Sequence, residues 1–183
     1  MQRLAAKSHH QQNGFSILEM LLATTILLVG LVALAQLVPA SLLLNYRNRM
    51  DSSAMVFAQR QLDQMIGQPI SALSFTDPQG IYCPSGNTCN LGDPTKPNQV
   101  VGTNVLVSIN NTPIIDFSST VSGYNFTYPD PTDPNGTTYD VRWAVIVTGN
   151  GTVPSSKRFI LGVRQLGGNG YFLPITLDAM VSK

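Results

Sequence analysis

The sequence predicts an α+β protein, in which one long N-terminal α-helix packs on an antiparallel β-sheet head, and three observations predict it. From Met20 to Leu44, 25 consecutive residues carry no formal charge. Apolar residues then continue at helical spacing as far as Ile66. After Gly67-Gln68-Pro69 the pattern changes to short alternating runs punctuated by Gly, Pro, Asn and Asp. A length of 183 residues suits one moderate domain plus an extra element. Charged residues are 11% of the chain, well below the roughly 25% of soluble domains. A net charge of +1 supports neither a broad nucleic-acid-binding surface nor an acidic tail.

The first segment, residues 1–14, carries Arg3 and Lys7, both His residues and no acid. A basic start before an apolar run stays on the cytoplasmic side of a membrane, so the remainder is expected to face outward. The apolar run exceeds the about 7–15 residues of a secretory signal, and it lacks a clear small-residue cut site at its far end. It meets the roughly 20 residues a membrane-spanning helix needs. Its ten Leu and four Ile or Val outweigh one acidic residue at the edge, which makes membrane insertion the expectation.

Ser16-x-x-Glu19 reads as a capping box that starts the helix. Met50, Ala54, Phe57 or Ala58, Leu62 and Met65 recur on one face of its second half. A helix from Ile17 to Ile66, at about 1.5 Å per residue, is about 75 Å long. Only its second half can pack on a head; the first must find lipid or other subunits. Pro39 removes one backbone donor and is expected to kink or loosen the helix. Gly30 adds a second weak point. The resulting division is 1–14 leader, 15–44 membrane or filament-core half, 45–68 amphipathic half and 69–183 β-rich head.

The junction Gly14-Phe15-Ser16-Ile17-Leu18-Glu19 resembles the processing site of type IV prepilins and of type II secretion pseudopilins. The resemblance implies that a membrane prepilin peptidase cuts after Gly14 and methylates the new N-terminal Phe15. It also implies that Glu19 pairs with the N-terminus of a neighbouring subunit, and that breakers such as Gly30 and Pro39 let the helix melt locally in a filament. Val29 to Gln36 and Ala58 to Met65 resemble the matching stretches of V-type minor pilins and I-type minor pseudopilins. The implied fold is pilin-like. The implied partners are other pilin or pseudopilin subunits, the peptidase, an inner-membrane assembly platform, and membrane lipid before assembly. The implied location is a bacterial inner membrane, crossed once with the N-terminus cytoplasmic, and then a pilus or periplasmic pseudopilus.

In the head, Thr76 to Asn98 reads as a surface loop. Strands are expected at Gln99–Ile109, Pro113–Phe117, Tyr139–Thr148, Arg158–Arg164 and Leu173–Val181, the last starting at an edge because of Pro174. Cys83 and Cys89 are the only cysteines. If the head lies outside the cytoplasm they form a short disulfide loop, contributing about 2–3 kcal/mol; free thiols or half a metal site are the alternatives. No other Cys and no His follow the leader, which argues against a transition-metal site. The same shortage leaves no Ser-His-Asp or Cys-His arrangement, and no phosphate or dinucleotide motif is present. Catalysis, cofactors and a nucleic-acid partner are therefore not expected. Asp130 to Gly136 has oxygen ligands that suit calcium, but Pro-Asp turns explain it as well. Two function classes remain: a structural minor subunit of a type IV pilus or type II secretion filament, and a single-pass membrane-anchored extracytoplasmic binding domain. An anchored binder has no need of Gly14, Phe15 and Glu19 at this spacing.

Overall fold

The computed structural model describes residues 14–108, 110–131, 136–150, 153–166 and 173–182. Residues 1–13 of the leader, the centre of the acidic Pro-Asp loop (132–135) and the end of the expected first strand (109) therefore lie outside the described residues. The chain divides into two compact units, Met1–Tyr46 and Arg47–Lys183. One helix, α1 (Ile17–Ile66), contributes to both.

In the first unit every described residue of α1 before Tyr46 is exposed. In the second, α1 buries Met50, Ala54, Phe57, Ala58, Gln61, Leu62 and Met65, spaced three and four apart as an amphipathic helix requires. Gln61 is the polar intruder on that face. Its Nε2 donates to the Tyr82 carbonyl at 2.7 Å, so the amide ties the helix to the loop above it. The helix closes with the Gly67 N–H donating to the Asp63 carbonyl at 2.9 Å.

Among the described residues nine strands follow: β1 (Ser74–Phe75), β2 (Cys89–Asn90), β3 (Gln99–Gly102), β4 (Val105–Val107), β5 (Pro113–Ile115), β6 (Asn125–Pro129), β7 (Thr138–Gly149), β8 (Pro154–Leu166) and β9 (Ile175–Ser182). The main sheet is antiparallel, in the order β3-β7-β8-β9, with β6 also on β7. Two short strands share one edge of β7: β6 takes residues 138–142 and β3 takes 144–147. The exchange falls at Trp143, whose N–H donates to the Tyr124 carbonyl and whose carbonyl accepts from Thr103 N–H at 3.0 Å.

The alternation in β7 and β8 sends Tyr139, Val141, Trp143, Val145 and Val147, with Phe159, Leu161 and Val163, into the core beneath the helix. Phe57 lies almost parallel to Tyr128 and Tyr139, at 4.7 and 5.2 Å between centroids. The opposite face is not simply solvated. The β4–β5 hairpin covers part of it, packing Ile115 against Ala144 and Ile160. Gly162 makes room for this, because a Cβ there would fall 2.6 Å from that of Ile115.

The expected strand Gln99–Ile109 is two strands in two sheets. Gly102, at φ +106°, ends the pairing with β7, and β4 then leaves to pair with β5. The expected surface loop Thr76 to Asn98 contains β2 and buries Asp77, Cys83, Cys89 and Leu91. The Cys83–Cys89 disulfide was expected there; the polar composition gave no sign that the buried Asp77 carboxylate also ties the loop together through its own backbone. The final strand begins at Ile175, just after Pro174.

Candidate functional site

Gly14, Phe15 and Ser16 precede the helix outside any regular element. Ser16 caps it: its Oγ accepts from the Leu18 N–H at 3.3 Å, and its carbonyl accepts from the Met20 N–H at 3.1 Å. Glu19 does not complete a capping box, since none of the described hydrogen bonds joins it to Ser16. The carboxylate stands exposed in the first helical turn, where the helix dipole favours it. Phe15 is 82% exposed. A Cβ on Gly14 or on Gly30 would meet nothing within 4 Å, and neither residue has positive φ, so packing within this chain does not require glycine at either place.

The apolar part of α1 satisfies its own hydroxyls. Thr24 donates to the Met20 and Leu21 carbonyls, Thr25 to those of Leu21 and Leu22, and Ser41 to that of Leu37. The helix continues unbroken through Gly30 and Pro39. It is the one helix among the described residues long and apolar enough to cross a membrane, and none of its most apolar stretch is buried.

In the head, Cys83 and Cys89 form a disulfide, with Cα atoms 5.9 Å apart, and both are buried. Asp77 organises the start of the same loop. Its carboxylate accepts from the Gln79, Ile81 and Tyr82 N–H groups at 3.0, 2.7 and 2.8 Å. Burial opposes the charge, but these bonds, with one from Cys83, outweigh it and hold the carboxyl below its usual pKa. Lys157 is buried, donating from Nζ to the Ala72 and Gly92 carbonyls at 2.6 and 3.2 Å. Desolvation lowers its pKa, opposed by Asp93.

The cations of β8 do not form a basic patch. Lys157 faces inward, Arg158 pairs with Asp178, and Arg164 meets Asp140 Oδ2 at 2.9 Å. Asp140 also takes a two-pronged bond from Arg142, at 3.0 and 2.9 Å. Both arginines cover the Phe117 ring, at 5.1 and 4.7 Å. Strand alternation placed Asp140 and Arg142 on the polar face. It carried no signal that the segment after β5 would cover them. Among the described residues no group of three or more His, Cys, Asp or Glu gathers as a metal site.

Residues 9–35 match the family model for the prokaryotic N-terminal methylation motif. No curated protein and no solved structure matches the chain. The match covers the junction and most of the apolar helix, so the chain carries a type IV pilin-like prepilin processing motif. That motif indicates a prepilin-peptidase substrate and points, in general terms, to that peptidase and to other pilin subunits as partners. The pilin type is in general a family of structural, non-enzymatic subunits. Motif and apolar helix together fit membrane anchoring.

Proposed function

We propose that this chain is a minor subunit of a type IV pilus or type II secretion filament, cleaved after Gly14, methylated on Phe15 and assembled through its N-terminal helix. The observation that carries this reading is the junction. A methylation motif stands at the head of a helix whose 25 uncharged residues bury nothing within the chain. The absence of any packing need for glycine at position 14 supports the same reading, because the demand for it then comes from the peptidase. On this reading the subunit waits in the inner membrane with its N-terminus cytoplasmic, meets an assembly platform, and moves into a pilus or periplasmic pseudopilus. Gly30 and Pro39 are the places where the helix loosens to fit its neighbours.

Glu19 is the assembly contact. Cleavage creates an α-amine on Phe15, and a neighbouring subunit's amine neutralises the carboxylate where water is scarce. Truncating one member of such a pair costs about 3–5 kcal/mol, because the other charge is stranded. Glu19→Ala is therefore expected to leave membrane level and leader cleavage intact while sharply reducing recovery in sheared filaments. The decisive experiment is intact mass measurement of protein from peptidase-positive membranes. The expected mass is that of residues 15–183 with one methyl group. A chain retaining Met1 to Gly14, together with an unaffected Glu19→Ala variant, would favour the membrane-anchored binding domain instead.

A further inference from the structure

Almost every described cation of this chain has a partner within it. Arg60 donates to the Tyr82 hydroxyl, Lys96 pairs with Asp93, and Lys157 donates to two backbone carbonyls. Arg142 and Arg164 share Asp140, and Arg158 takes Asp178. Arg47 and Arg49 are the exceptions. Both are exposed, and neither guanidinium makes a described hydrogen bond, ion pair or ring contact. Asp51 stands one turn beyond Arg47, yet no described ion pair joins the two. Arg47 also lies three residues before Met50 and seven before Ala54, on the stripe that is buried from Met50 onward, but at Arg47 that cover has ended.

Their distance along the chain from the apolar run fixes where they stand. A bilayer about 40–45 Å thick, headgroups included, takes about 27–30 helical residues at 1.5 Å each. The uncharged stretch from Met20 to Tyr46 is 27 residues long, so the first charges after it fall at the level of the lipid headgroups. With the edge of the hydrocarbon at Leu44, Arg47 and Arg49 follow after about 4.5 and 7.5 Å of helix, and the headgroup layer is about 5–7 Å deep. Asp51 follows after about 10.5 Å, already in water. Arginine stems are long enough to keep the charged ends in that layer if the helix settles a residue or two deeper.

We propose that Arg47 and Arg49 are a headgroup site, by which the subunit holds anionic phospholipid on the side of the membrane opposite the leader. The occupant follows from depth and charge. Phospholipid fills that layer before assembly, each molecule carries a phosphate, and a guanidinium grips phosphate oxygens with paired N–H groups. A lipid with no compensating cation in its headgroup is favoured over a zwitterionic one. Residues two apart point to different sides of a helix, so each arginine takes its own lipid. The inference rests on the membrane-inserted subunit described above, and adds to it a ligand class and the residues that bind it.

The test is native mass spectrometry of the full-length chain, released from detergent containing equal amounts of phosphatidylglycerol and phosphatidylcholine. The wild type is expected to retain one phosphatidylglycerol per arginine, each favoured about fivefold over phosphatidylcholine. Arg47→Gln and Arg49→Gln should each lose one lipid, and the double variant both. Arg47→Lys/Arg49→Lys should keep most of the preference, and Arg60→Gln all of it. Trp143 fluorescence, unchanged in each variant, shows that the head stays folded. Equal retention of the two lipids, or a preference that survives the double glutamine variant, would overturn the proposal. So would a preference that inorganic phosphate abolishes at constant ionic strength, since the arginines would then be a site for free anions. Intact mass in the same spectra separates this inference from the filament reading. A chain beginning at methylated Phe15 without selective lipid sinks the headgroup site alone. Selective lipid on a chain that keeps Met1 to Gly14 sinks the filament reading alone.

Discussion

Asp140 is the residue whose loss the head should tolerate least. Its side chain is 6% exposed, and its two oxygens accept three bonds, two from Arg142 and one from Arg164. Arg142, itself 8% exposed at the side chain, keeps one other hydrogen-bond partner among the described residues, the Ser119 carbonyl at 2.6 Å. In Asp140→Ala a guanidinium therefore stays buried without its counter-ion, a change that costs about 3–5 kcal/mol. Arg164 is a third exposed and regains water, which puts the expectation at the lower end, about 3 kcal/mol. Trp143 reports on it directly. It is the only tryptophan, fully buried one strand position beyond Arg142, and its Nε1 donates to the Asn90 carbonyl at 2.8 Å. Urea unfolding of the full chain in detergent, followed by Trp143 fluorescence, should show the midpoint falling by about 1.5 M at a typical slope near 2 kcal/mol per M. The double variant Asp140→Ala/Arg142→Met should recover part of that loss, because it strands no charge. A midpoint shift below about 0.3 M, or losses that simply add in the double variant, would refute the idea that the network is buried and coupled.

Reduction of Cys83–Cys89, or replacement of both by Ser, should lower stability by about 2–3 kcal/mol in the same assay; alkylation of both thiols without reductant would contradict the bond. Because Asp77 has its folded pKa held below the unfolded value, its contribution is present above the unfolded pKa and is lost as pH falls through the folded one. The unfolding midpoint of the wild type should therefore drop below about pH 4 more than that of Asp77→Asn. Gly102→Ala would place a Cβ 2.6 Å from the Trp143 carbonyl at φ +106°, so a loss of about 3 kcal/mol is expected, read as a shifted Trp143 unfolding midpoint.

Local periodicity and composition determined much of this protein. The helix bounds Ile17 and Ile66, the apolar half, the buried face from Met50 to Met65, and the long strands around Trp143 and Leu161 were all legible, because a 3.6-residue or two-residue rhythm needs no knowledge of distant partners. The processing junction was legible for a different reason: a peptidase reads it as a linear segment. Only the tertiary structure decided the rest. Gln61 sits on the buried face because the Tyr82 carbonyl happens to arrive above it, and Lys157 is buried because the Ala72 and Gly92 carbonyls converge on its ammonium. Asp140 and Arg142 occupy formally outward positions, but the segment that follows β5 lays Phe117 across Arg142 and Arg164. The strand expected from Gln99 onward divides at Gly102 because the edge of β7 is shared with β6, a strand too short and polar to announce itself. In each case the deciding partner lies at least 20 residues away in sequence, and whether a polar side chain is solvated or satisfied inside depends on that partner alone.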